Sequence, residues 1–231
     1  MNRGRRRRTR RAFLAGVSGA TAVGLAGCLG ANRPEGVVLD PPEDQERLED
    51  ADVGFPIYGD QVPEAEVPAP RHDRTITTTE FVGERHVMLT FVFTRCPDAC
   101  PLLVENLVHV YADAMENGYA ERMAFMPTTF DPTYDTPEVI ESYNEERGVD
   151  DADEWYFLRP DSEEHAREVV EETFGVHYVR TDDEDDIDME FLHDNLIVLA
   201  NEDGYVERSY FGEPPNPAEV LSDVEALRER W

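Results

Sequence analysis

The run His86-Val87-Met88-Leu89-Thr90-Phe91-Val92-Phe93-Thr94 carries no acid, Lys or Arg over nine residues, in a chain where 31% of residues are charged. A continuous apolar stretch of that length, rich in β-branched and aromatic residues, reads as a strand buried on both faces. Such a strand needs a layer above it and another below, which confines the chain to an α/β architecture around a central sheet.

The flanking sequence agrees. Residues 101–115 place Leu103, Leu107 and Val110 at helical spacing. Beyond them the pattern predicts a strand near 123–127, a helix over 136–146, a strand near 155–158 and a helix over 161–174 capped by Asp161 or Ser162. A strand over 196–200, a turn over 201–204, a strand over 205–211 and a helix over 217–230 complete the chain. Residues 74–82 read as part of a short polar hairpin ahead of the first buried strand. Repeated β-α units closed by a hairpin predict an α/β fold with a mixed central sheet flanked by helices.

Charge bears on the environment. The net formal charge is −30, yet the first 27 residues hold seven Arg and no acid, which leaves 51 acids against 14 Arg, a net of −37, on the remainder. Lys is absent from the sequence. Self-repulsion of this size opposes compaction at low ionic strength, whereas at 1 M salt the Debye length falls to about 3 Å. A halophilic surface is therefore expected, and the 181–190 stretch TDDEDDIDME is read as a solvated acidic loop. No Lys/Arg cluster stands on the mature domain to neutralise phosphates, so a nucleic-acid partner is excluded.

The early Arg residues have their own explanation. Thr9-Arg10-Arg11-Ala12-Phe13-Leu14 followed by a small, apolar stretch has the order of a twin-arginine export signal. Leu25-Ala26-Gly27-Cys28 resembles a lipobox, which makes Cys28 a lipid anchor rather than a ligand. About 14 apolar and Gly-rich residues are fewer than the ~20 that span a bilayer, which argues against an uncleaved anchor. The expected organisation is a signal with lipobox over 1–28, an acidic, Pro-rich tether over 29–51 and a folded domain over 52–231. Export would place the protein on the outer face of the cell membrane.

Two of the three Cys sit four apart in Phe93-Thr94-Arg95-Cys96-Pro97-Asp98-Ala99-Cys100-Pro101, where the buried strand feeds a helix. A helix N-terminus favours thiolate over thiol, and thiolates are both soft-metal ligands and redox nucleophiles. Two thiolates and an imidazole suit Cu(I), with Cu(II) left open, whereas a structural zinc site would ask for four ligands. A plain disulfide is the bland alternative, although a three-residue loop gives it little entropic return. Among six His, His193 is preferred because it precedes the strand over 196–200; His72, His86, His109, His165 and His177 read as packed or solvent-facing.

Over roughly 52–231 the sequence resembles the Sco/SenC family of copper-binding assembly factors for cytochrome oxidase. TRCPDACP (94–101) is similar to the family's C-P-D-x-C-P motif, FDPTYDTPEVIESY (130–143) to its D-P-x-x-D-T-P-E segment, and LHDNLIVLANEDG (192–204) to its ligand-His strand and turn. The resemblance implies a thioredoxin-like fold with a β-hairpin insertion, with copper held by Cys96, Cys100 and His193. It further implies a metallochaperone delivering copper to the dinuclear centre of cytochrome c oxidase subunit II. A thiol-disulfide oxidoreductase acting on that subunit or on other exported proteins, with Cys96 and Cys100 as its redox pair, is the alternative. Asp131 and Asp135 in the second motif are assigned to turn and helix-start chemistry in preference to the alternative, support of the site by hydrogen bonding. The family pattern has an acid before the His and a small hydroxyl after it, where Leu192 and Asp194 stand here.

Overall fold

In the computed structural model, which describes residues 33–51, 53–181 and 191–230, the apolar run forms β3 (His86–Val92), buried along its whole length. It lies second in a four-stranded sheet ordered β4-β3-β7-β8, with β4 at Met123–Thr129, β7 at Leu196–Ala200 and β8 at Val206–Phe211. β3 runs parallel to β4, with His86 opposite Met123 and Val92 opposite Thr129. It runs antiparallel to β7, with Thr90 opposite Ile197, and β7 and β8 form an antiparallel hairpin. The sheet is mixed, as expected. β4 and β7 are buried on both faces too, which is why none of the three shows alternation.

The connection from β3 to β4 is α2 (Ala99–Asn117), which packs on both strands and on α5 (Pro217–Arg228). Its inward face is Leu103, Val104, Leu107, Val110 and Ala114, and it stops at Gly118, where a φ of 73° lets the Gly N–H bond Ala114 O. After β4, α3 (Pro137–Glu145) starts on a Thr136 cap whose hydroxyl accepts from Val139 N–H, with Pro137 pre-set for the first turn. The polar hairpin is β1 (Glu66–Ala69) paired antiparallel with β2 (Arg74–Thr77), its Val67, Ala69 and Ile76 turned into the core.

Three expectations need correction. The 161–174 helix begins regularly as α4 (Glu163–Arg167), capped by Ser162, then widens to a π-helical stretch over Glu168–Thr173. The wider turn buries the adjacent pair Val169 and Val170 together with Ala166 and Phe174. The 155–158 segment makes only isolated parallel bridges to β4, Phe125 with Trp155 and Thr128 with Leu158. The third concerns the tether: residues 36–51 are docked on the domain, with Leu39 and Leu48 in the core and a helix, α1, at Gln45–Ala51. Its few apolar residues suffice because side chains of the domain bond its backbone. The 1–28 signal, Cys28 and most of the acidic loop lie outside the described residues. Among the described residues no helix is long and apolar enough to cross a membrane.

Candidate metal centre

β3 ends at Val92, the chain turns through Cys96, whose N–H donates to Phe93 O at 3.2 Å, and α2 begins at Ala99. Cys100 therefore occupies the first helical turn and is fully buried, while Cys96 is 7% exposed. His193 arrives from elsewhere, at the end of β6 (Phe191–His193), which pairs antiparallel with β5 (Tyr178–Arg180) so that Tyr178 faces His193. One ligand atom from each of Cys96, Cys100 and His193 lies within 4.8 Å of the other two, and neither thiol is in a disulfide.

The imidazole is oriented on both sides. His193 Nδ1 lies 2.9 Å from Asp194 O, and a carbonyl only accepts, so Nδ1 carries the hydrogen. Nε2 is then the nitrogen turned to the sulfurs, 3.2 Å from Cys100 Sγ. Phe93 meets the ring edge-on at 6.0 Å and Phe130 lies 5.1 Å away, so an aromatic wall limits where it can swing.

The two thiols are electrostatically unequal. Hydrogen bonding from Cys100 holds Cys96 down at about 4, with His193 and the backbone N–H groups of Asp98 and Cys100 adding to it and burial opposing. Cys100 moves the other way: burial pushes its thiol up, and the neighbouring Cys96 sulfur reinforces the shift. Near neutral pH these opposite shifts favour a thiolate at Cys96 beside a thiol at Cys100.

Asp131 and Asp135 brace this loop. Asp135, fully buried, accepts from Thr94 N–H at 3.2 Å and from the hydroxyls of Thr94 and Thr129. Asp131, 1% exposed, accepts from Arg95 at 2.6 Å and lies 3.5 Å from Arg180 on β5, so it links the residue before Cys96 to the hairpin that carries His193. The helix-start part of the assignment is thus corrected, since Thr136 supplies the cap, while Asp131 does open a turn, its carbonyl accepting from Tyr134 and Asp135 N–H. The signal was the pairing of two acids with buried neighbours directly after a buried strand, where an unbonded carboxylate would be costly. The other described histidines serve elsewhere: His72 reaches Trp155 O at 3.0 Å and stacks on Tyr156, and His165 reaches Glu66 O at 3.0 Å. His86 is buried at the start of β3, His109 sits beside Glu105 on α2, and His177 O accepts from Asp194 N–H.

The SCO1/SenC family model matches residues 70–229 of this chain. The chain belongs to the SCO1/SenC family. It is 27% identical over 150 residues to the mouse mitochondrial Protein SCO1 homolog, covering 65% of this chain and 50% of that protein. It is 26% identical over 125 residues to an SCO2-like protein of Rickettsia prowazekii, covering 54% and 57%. The chain thus spans about half the length of the curated relatives it matches. Among solved structures, a SCO1/SenC family lipoprotein from Bacillus anthracis superposes with TM-score 0.60 at 18% identity, covering 73% of this chain and 95% of that one. Apo Sco1 from Thermus thermophilus gives 0.57 at 24% identity, covering 78% and 97%, and copper-bound ScoI from Bradyrhizobium japonicum gives 0.55 at 20%, covering 76% and 99%. The fold is the expected thioredoxin-like one.

Proposed function

We propose that this SCO1/SenC protein is a copper chaperone, which holds Cu(I) on Cys96, Cys100 and His193 and passes it to the dinuclear copper centre of cytochrome c oxidase subunit II. The observation that carries the proposal is the convergence of two sulfurs and one oriented imidazole nitrogen within 4.8 Å. Two soft donors and one imidazole satisfy a three-coordinate monovalent copper ion, and the same set admits Cu(II). Loading displaces the proton from Cys100, so uptake is linked to pH. Copper-bound relatives, ScoI of Bradyrhizobium japonicum among them, support the choice of metal. The lipoprotein relative from Bacillus anthracis supports the accompanying proposal that Cys28 carries a lipid and holds the domain at the outer face of the membrane after twin-arginine export.

The unequal thiols favour a second use of the same pair. Cys96 as thiolate attacks a partner disulfide and Cys100 resolves the mixed disulfide, which makes the protein a thiol-disulfide oxidoreductase. Titrating Cu(I) into the reduced domain in high salt, against a competing chelator, separates the two. The chaperone requires one tightly held equivalent, weakened by each of Cys96→Ser, Cys100→Ser and His193→Ala. Binding that none of the three changes removes the proposed site, and a pair that cycles with a partner's cysteines without retaining copper moves the function to thiol exchange.

A further inference from the structure

Strand β8 carries a buried carboxylate that takes no part in the metal centre. Glu207 is fully buried, and its Oε1 accepts from Val38 N–H at 2.7 Å and from Asn201 Nδ2 at 2.6 Å. Its Oε2 accepts from Leu39 N–H at 2.8 Å. The same few residues are gripped at their carbonyls. Asn201 Nδ2 donates to Gly36 O at 2.8 Å, the Tyr58 hydroxyl to Leu39 O at 2.7 Å and Arg208 to Asp40 O at 3.0 Å, while Arg33 and Arg230 both donate to Val38 O. Gly36 has φ 92°, and a Cβ there would meet the Tyr205 ring at 2.2 Å. Residues 36–40 form no strand or helix. They are held in a seat built of side chains, with the Leu39 side chain in the core.

The position of that seat matters. Val206 faces Ala200, Ala200 faces Val87 near the start of β3, and Phe211 faces Leu196 at the other end. Glu207 therefore sits at the end of the sheet where β3 begins, whereas the thiols follow the end where β3 stops. Five strand residues separate the levels by roughly 17 Å.

We propose that Glu207 and its seat form a clasp that limits reach: Gly36 becomes the point where the membrane tether joins the domain, at the end remote from the thiols. This rests on the reading of Cys28 as a lipid anchor. Seven residues separate Cys28 from Gly36, which is about 25 Å of fully extended chain. With the clasp open the free chain extends to the start of α1, because Leu48 stays docked, and its 16 residues reach about 55 Å. The clasp thus holds the domain close to its anchor and raises its effective concentration toward a partner in the same membrane about three- to fourfold.

The full-length lipidated protein, in phosphatidylcholine–phosphatidylglycerol vesicles at high salt, tests this with two readouts, hydrogen exchange of the peptide containing Val38 and Leu39 and energy transfer from a dye on the domain to labelled lipid. In the wild type the peptide is protected; Glu207→Gln makes it exchange at least tenfold faster and lowers energy transfer, with Cu(I) affinity unchanged. Should Glu207→Gln fail to fold, Val38→Pro removes one strap N–H without touching the sheet and gives the same result. A wild-type peptide that exchanges as fast as an unstructured one, or variants that leave protection and distance unaltered, overturns the clasp. Protein that stays off the vesicles with its peptide still protected refutes the anchor and the reach role while leaving the clasp.

Discussion

Alkylation of the reduced, metal-free domain lacking Cys28 measures the ionisation of Cys96. At pH 6 a thiol with the ordinary value of 9.0 is about 0.1% ionised, whereas one held at about 4 is almost wholly thiolate, a difference of about 1000-fold. Nucleophilicity falls with basicity at a Brønsted slope of about 0.4–0.5, and five units of lowering give back roughly 200-fold. Cys96 therefore reacts about fivefold faster than an ordinary thiol at pH 6, equally fast near pH 7 and about 15-fold slower at pH 8. Burial reduces every rate by one factor, so the profile is the readout. Iodoacetamide labelling of Cys96, followed by peptide mass spectrometry, should give a flat rate between about pH 5 and 8 where a free thiol gains tenfold per unit. Cys100→Ala, which removes the foremost cause of the lowering, should restore a slope over that range. A Cys96 rate that climbs tenfold per unit in the unsubstituted protein, or a flat profile that survives Cys100→Ala, refutes the account. Linkage has the matching sign: a depressed thiol contributes stability above its ordinary value of 9.0 and loses it as pH falls toward about 4, while the raised Cys100 works in the opposite direction.

Two further outcomes follow from the packing. Asp135→Asn leaves three buried donors facing an amide, and with the two hydroxyls free to turn away it should cost about 2–4 kcal/mol in urea unfolding and weaken Cu(I) binding by about tenfold; unchanged stability would mean that Thr94 and Thr129 find other partners. Gly175→Ala places a Cβ 2.2 Å from the Gly54 carbonyl at a φ of +65°, and should lower the melting temperature by about 4–8 °C, whereas Gly148→Ala, with φ +67° and open space around it, should cost less than half as much. Equal losses at the two glycines would remove the close approach as the cause.

The mixed central sheet and the Cys pair were legible in the sequence. A strand buried on both faces writes an unbroken apolar run, and two Cys at a strand-helix junction leave few chemical uses. His193 was harder to place, because a residue from another strand leaves no spacing signal: its position ahead of a strand made it the preferred His, and the family motif strengthened that choice. The bracing role of Asp131 and Asp135 was hidden because DP and DTP also encode turns and caps, and only the burial of both carboxylates separates the two roles. Glu207 was hidden more completely. In a chain with 51 acids a buried glutamate looks like a surface one, and the segment that it holds has too few apolar residues to register as folded. The π-helical stretch escaped because its apolar residues fit a regular period almost as well.

The three donors are mounted on unequal supports. Both sulfurs belong to the junction of the central sheet with a 19-residue helix, while the nitrogen rides on a separate two-stranded ribbon with three residues in each strand. A short ribbon yields before a sheet does, so the cage around a cargo ion has a hinge side and a fixed side. On the proposed chaperone reading the imidazole would be the first donor to let go, which would leave an ion on two sulfurs with one open face. On that reading an acceptor that approaches over the ribbon would add its own ligand there before the second sulfur lets go, so the ion would pass from one protein to the other without entering solvent.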